Sequence, residues 1–203
     1  MDLSADQART LLDAARAVII SRVSAHDRVK PPLPADNPAL SQPAGCFVSL
    51  HEIASHRLRG CVGRIEADRP LFDAVCDSAG SVLRDPRFSD DRIRPEELSR
   101  IELEVSVLSP PRRIESASEF DPLRDGVIVR IGQRSGLFLP QVARETGWTR
   151  EQLLSRLCTE KLGLPADAWQ DPDAELLVFS TAILGPEALI PPIHDPLKTP
   201  AST

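Results

Sequence analysis

Gly45-Cys46-Phe47-Val48-Ser49-Leu50-His51-Glu52-Ile53-Ala54-Ser55-His56-Arg57-Leu58-Arg59-Gly60-Cys61-Val62-Gly63-Arg64-Ile65 is the stretch from which the fold is read. Two runs that suit strands, Gly45 to Leu50 and Arg57 to Ile65, flank the polar segment His51 to His56, so a hairpin is the simplest reading. Downstream, Asp68 is placed to cap a helix and Pro70 fits its first turn, while Leu71, Phe72, Val75, Ala79 and Val82 supply one apolar stripe. Asp85-Pro86 ends that helix, because proline disfavours a helical residue before itself. Strict alternation then sets Ile101, Leu103, Val105 and Val107 on one face of a strand and Glu102, Glu104 and Ser106 on the other.

Working outward, Ala8, Leu11, Leu12, Ala15, Val18 and Ile19 recur at helical spacing, which predicts a helix from Ala5 to Val23 with Ser4 as its N-cap. In the second half, Gly126 to Gly132 and Gly136 to Leu139 read as another hairpin around Gln133-Arg134-Ser135. Helices follow at about residues 140–145 and 149–162, the second opened by a Thr149/Gln152 capping box and closed by Gly163. Leu176 to Ile183 is the last strand. Each half therefore runs hairpin, helix, strand, which suggests an internal duplication, although no residue-level repeat accompanies it. This order predicts an α+β fold of two lobes with mainly antiparallel sheets, not a doubly wound parallel sheet.

A chain of 203 residues with 41% hydrophobic residues can bury one core. The expected organisation is a single domain over residues 1–184. Within it Pro31, Pro32, Pro34, Pro38 and Pro43 make an extended connector at 31–44, and a second proline-rich segment, 185–203, reads as a tail. The net charge of −6 gives no footprint for phosphate backbones, so nucleic acid is a poor partner, and Arg57, Arg59, Arg64 and Arg69 are diluted by Glu66 and Asp68. No basic n-region, apolar leader or membrane-length apolar run is present, and the four scattered cysteines read as free thiols of a cytoplasmic protein.

Chemistry points to Cys61. Two glycines, Gly60 and Gly63, flank its thiol and would allow close approach of another group. Arg59 alternates onto the same face in a regular strand, where its guanidinium would favour thiolate. His51 and His56 in the hairpin loop, and Glu104 on the non-core face of the later strand, are the candidate proton carriers. Three readings stay open: a thiolate enzyme, a binding module whose glycines admit a ligand, and a packing device in which the sulfur is a small apolar filler. The His51 to His56 segment is not a zinc-protease helix, since the position four residues after His51 is Ser55. Cys46, His51 and Cys61 have no diagnostic metal spacing, and neither a dinucleotide fingerprint nor a phosphate loop occurs, so no metal is assigned and any cofactor is unknown.

Arg57-Leu58-Arg59-Gly60-Cys61-Val62-Gly63 resembles the hallmark segment of the AMMECR-type domain family. Asp85-Pro86-Arg87-Phe88, Glu104-Val105-Ser106-Val107-Leu108, Phe138-Leu139-Pro140-Gln141-Val142 and Leu157-Cys158 before Gly163-Leu164 are similar to family segments in the same order, over about residues 3–184. The closer resemblance is to the prokaryotic branch encoded beside a Memo-like protein and a radical S-adenosylmethionine protein, the AmmeMemoRadiSam system. It implies those partners, a two-lobed α+β fold with a cleft, and a site at Arg59, Gly60, Cys61 and Gly63, with Glu104, Pro140 and Gln141 beside it. It implies no reaction, and because Cys46 and Cys76 fall outside the family pattern it implies no cysteine pair.

Overall fold

Ser4 caps the first helix as its sequence predicts. Its Oγ accepts the Gln7 N–H while Gln7 Oε1 accepts the Ser4 N–H, at the start of α1 (Ala5–Val23). The computed structural model describes residues 3–24, 31–33 and 37–190. After α1 come β1 (Cys46–Glu52), β2 (Leu58–Arg64), α2 (Leu71–Val82), β3 (Ile101–Leu108) and the short β4 (Arg112–Ile114). The second half supplies β5 (Gly126–Ile131), β6 (Arg134–Phe138), α3 (Pro140–Thr146), α4 (Arg150–Arg156), β7 (Ala174–Phe179) and β8 (Thr181–Ala188). α4 runs on through a π-helical turn, Leu157–Leu162, to Gly163 in the left-handed region.

Among the described residues, eight strands form two antiparallel sheets, ordered β2-β1-β3-β8 and β4-β7-β5-β6. The apolar stripes of α1 and α2 lie against Val48, Leu50, Leu103 and Val105 of the first sheet. Leu153, Leu154 and Leu157 lie against Val127, Val129 and Val178 of the second. The fold is thus α+β and antiparallel.

The pairing reveals what the sequence pattern could not. In each half the hairpin's first strand pairs with the strand after the helices, β1 with β3 and β5 with β7. The next strand then leaves: β4 joins the second sheet beside β7, and β8 returns to the first beside β3. The two departures meet, with Ser109 N–H donating to the Ser180 carbonyl at 2.9 Å and Ser180 N–H to Ser109 Oγ at 3.0 Å. Around this crossing a third apolar cluster forms, in which Leu108, Phe47 and Ile65 of the first lobe meet Ile128, Leu177, Phe179, Leu137 and Leu139 of the second.

Several expectations need correction. Leu176 to Ile183 is not one strand, because the chain changes sheet at Ser180, and β4 carries too short an apolar pattern to be read. Gly185 to Ala188 belong to β8 and Leu189 is fully buried in the first core, so the expected tail starts too early; its remainder from 191 lies outside the described residues. The connector is not wholly extended or superficial either, since Pro38–Ser41 make a 3-10 turn that buries Leu40; residues 34–36 lie outside the described residues. Asp68 does not cap α2, whose N-cap is Pro70 without a side-chain bond, and pairs with Arg64 and Arg69 instead. The second hairpin turns at Gly132-Gln133, one step earlier than expected, since Ile131 faces Arg134.

Both hallmark glycines are explained by packing. A Cβ on Gly60 would sit 2.8 Å from the Val82 carbonyl oxygen at the end of α2, and one on Gly63 would overlap the Cys46 carbonyl and the Phe47 ring. The space that a ligand was expected to use is filled by the protein itself. Gly63→Ala is expected to cost roughly 1–3 kcal/mol, as overpacking against backbone does. Urea unfolding checks this against Ser135→Ala, whose exposed site should change stability by less than about 0.5 kcal/mol.

Candidate functional site

β2 is an edge strand, so alternate residues turn their backbone polar groups away from β1. At Cys61 those groups are met by the turn after α2. The Cys61 N–H donates to Asp85 Oδ2 at 3.0 Å, and its carbonyl accepts from Arg87 Nη2 at 3.1 Å. Cys61 and its partner Ser49 therefore form the non-hydrogen-bonded kind of antiparallel pair, in which side chains approach most closely. Ser49 Oγ donates to Cys61 Sγ at 3.2 Å.

Asp85 and Arg87 act as a two-residue clamp in place of a missing strand. Asp85 begins the 3-10 turn Pro86–Phe88 and accepts the Arg87 N–H at 3.1 Å. Its carboxylate also accepts from Arg87 Nε at 3.1 Å and Nη2 at 2.7 Å, a two-point pairing. The Arg87 guanidinium, with the N–H donors of Cys61 and Arg87, outweighs burial and holds the Asp85 carboxyl down to about 2. The guanidinium in turn lies over the Phe88 ring at 5.6 Å and interacts with the Cys61 side chain.

On the other side of Ser49, β3 places Glu104 in register, half-buried and accepting a long 3.5 Å bond from Ser106 Oγ. Cys61, Ser49 and Glu104 thus make a row across three strands, on the face turned away from α1 and α2. The β3–β8 register shifts between Leu103 and Val105, opposite Gly185 and Pro186, so an irregularity bounds the row beside Glu104.

Arg59 is not the cation of this row. Leu50 faces Gly60 but His51 faces Leu58, so Arg59 is an extra residue in a β-bulge and the expected alternation with Cys61 fails. Its guanidinium enters an acidic cage, with Nη1 donating to Glu52 and Glu97 at 3.1 Å each and Nη2 to the carbonyl and carboxylate of Asp91 at 3.2 Å. Only 2% of that side chain is exposed. Arg57, with Ser55, holds the adjoining Glu52 carboxyl down to about 2. A cavity of about 360 Å³ borders this cage, lined by Glu52, Ile53, Arg59, Glu97, Arg100 and Ile101, and Cys61 is not in its wall.

The remaining candidates are scattered. His51 stands two residues along β1 from Ser49, opposite Glu102 and Leu58 and half-buried. His56 lies in the hairpin loop with its Nδ1 3.2 Å from Glu102. Cys46 points to the helical side, where its sulfur lies 3.8 Å from Ser78 Oγ, so it shares no donor set with Cys61. Pro140 and Gln141 open α3 directly after Leu139 of the third cluster; Gln141 Oε1 is enclosed without a partner, and no bond joins it to Cys61. Sequence reasoning passed over Ser49, Asp85 and Arg87. The available signals were the cross-strand position of Ser49 and the Asp85-Pro86-Arg87-Phe88 segment, which was read only as a helix stop and family marker.

Taken together, the two antiparallel sheets and this clamped sulfur row define a two-lobed α+β protein of one recognisable class. The AMMECR1 family model matches residues 12–184, and the chain belongs to that family. A protein of Methanopyrus kandleri is 36% identical over 200 residues, 95% of each chain. One of Methanothermobacter thermautotrophicus is 40% identical over 89% of this chain and 95% of its own. The crystal structure of an uncharacterised protein from Pyrococcus horikoshii superposes with a TM-score of 0.73 at 36% identity, covering 85% of this chain and 88% of that one.

Two stability tests follow. Asp85 has a depressed folded pKa, so its contribution is present above its unfolded value of 3.8 and is lost as the pH falls towards about 2. Denaturant unfolding should show the wild type losing roughly 2 kcal/mol over that window relative to Asp85→Asn. Arg59→Met strands Glu52, Asp91 and Glu97 around an apolar side chain and should cost roughly 3 kcal/mol at neutral pH, measured the same way.

Proposed function

We propose that this chain is a cytoplasmic component of the AmmeMemoRadiSam system, acting with a Memo-like protein and a radical S-adenosylmethionine protein, and that its working group is the Cys61 sulfur. The observation that carries the site is the contrast among the four cysteines, none of them in a disulfide: Cys46, Cys76 and Cys158 are buried and Cys61 is partly exposed. Burial pushes the Cys46 thiol up to about 11 and raises that of Cys158. Cys61 combines its exposure with a hydroxyl that donates to its sulfur, from Ser49, and a guanidinium bound to its own carbonyl, from Arg87, the surroundings in which a reactive cysteine is found. Glu104, one strand beyond Ser49, is placed to exchange a proton with a group bound over the row.

A second reading, a non-catalytic module that docks a ligand or partner on the same row, is favoured by one feature. Neither His51 nor Glu104 hydrogen-bonds the sulfur, so no base is aligned on it as in a nucleophile–base pair. Competitive alkylation of the folded protein across pH, read by mass spectrometry, separates the two. The thiolate reading expects Cys61 to label at least about tenfold faster than the other three below pH 7, and Ser49→Ala to slow it several-fold. Labelling at the rate of the buried cysteines would remove that reading and leave the binding module.

A further inference from the structure

The charges flanking the Cys61 row are committed to the protein to very different degrees. Arg59 has all its Nη donors turned onto Glu52, Glu97 and Asp91 and is sealed from solvent. Arg87 is the opposite case, with a side chain 58% exposed and Nε and Nη2 bound to Asp85 and the Cys61 carbonyl. Its Nη1 has no hydrogen-bond partner among the described residues, and a guanidinium edge of this kind suits an oxygen anion.

Asp85 does not cancel that edge locally. Its side chain is 4% exposed, and its two oxygens are turned onto the Cys61 N–H, the Arg87 N–H and the inner side of the guanidinium. Across the row, the groups are of the other sign. Glu104 faces the same surface from β3, and Glu102, next on that face, meets His56. The sulfur therefore lies between a cationic outer edge and a carboxylate inner side, with Ser49 between them.

We propose that the site takes a carboxylate-bearing ligand, its carboxylate held by Arg87 at the free edge of β2 and its reacting or contacting atom over Cys61. In this arrangement Asp85 is a positioning residue that aims the guanidinium and fixes the Cys61 backbone. A proton-donating group on the ligand then falls towards Glu104, so the row orients the ligand as well as binding it. The proposal rests on Cys61 being the working group, and its test is built to separate the two ideas.

The test compares iodoacetate with iodoacetamide at Cys61 of the full chain at one pH. The thiolate fraction is common to both reagents, so the ratio of their rates, referred to a free cysteine derivative, reports only the preference for a carboxylate. A single unscreened charge near 4 Å in water changes such a ratio about fivefold. The wild type is expected to favour iodoacetate by about that factor, Arg87→Gln to fall to the reference, Arg87→Lys to keep most of the preference, and Glu104→Gln to increase it. Equal ratios in the wild type and Arg87→Gln overturn the carboxylate inference while leaving a reactive cysteine in place. If Cys61 reacts with neither reagent, the thiolate reading fails, and the inference is decided by NMR titration of Cys61→Ser with acetate and acetamide. Amide shifts at residues 61 and 87 that acetate causes, acetamide does not, and Arg87→Gln abolishes support it; no such shifts overturn it.

Discussion

The reciprocal exchange of β4 and β8 is the constraint from which the rest of the molecule follows. Without it each half would end in a three-stranded sheet whose outer strand, β3 or β7, exposes a row of unpaired N–H and C=O groups. Exchange covers both with a strand from the other half. The cores are consequently not separable: Leu184 of β8 and the following Leu189 are buried in the first core, and Ile114 of β4 in the second. The Ser109–Ser180 hydrogen bonds and the third cluster close the crossing, so the two lobes share apolar side chains as well as strands.

Because exchange protects β3 and β7, the unprotected edges are left elsewhere, and β2 is one of them. Here the solution is local. A turn that ends α2 folds back and supplies one acceptor and one donor at the single residue Cys61, with Asp85 and Arg87 standing where a fifth strand would be. This gives the edge a chemical identity at one point along its length. It also explains why the hallmark segment and the Asp85-Pro86-Arg87-Phe88 segment, separated by more than twenty residues, meet at one residue.

Much of the architecture was legible in the sequence. The helical spacing from Ala8 to Ile19, the Thr149/Gln152 cap and the alternation of β3 all express local physics, and each element stands where its pattern places it. What was illegible depended on pairing. The segment Leu176 to Ile183, apolar on both sides of Ser180-Thr181, has the same pattern whether it stays in one sheet or crosses between two, and only the partners β5 and β3 decide. The position of Glu104 opposite Ser49 likewise comes from register, not composition. Gly60 and Gly63 were correctly singled out as close-approach positions, but what approaches is Val82 and Phe47, neighbours that a sequence pattern does not identify.

The misassignment of Arg59 shows how one residue of register changes a functional argument. Alternation is a period-two rule, and a bulge adds one residue to one strand, so every side-chain assignment beyond it changes sides. Arg59 occupies that extra position and is re-aimed into three carboxylates, where its charge is consumed in holding the β-hairpin to the segment after α2. A buried cation ringed by carboxylates stabilises structure but has little field left for a ligand, whereas a half-exposed one with an unused edge keeps its field available. Arg87 meets that second description, and it reaches the Cys61 carbonyl at the open edge of the strand through a turn that the one-dimensional pattern reads only as the end of a helix. The cation bound at Cys61 is therefore one from outside the hallmark segment, while the hallmark arginine holds the hairpin that carries that residue.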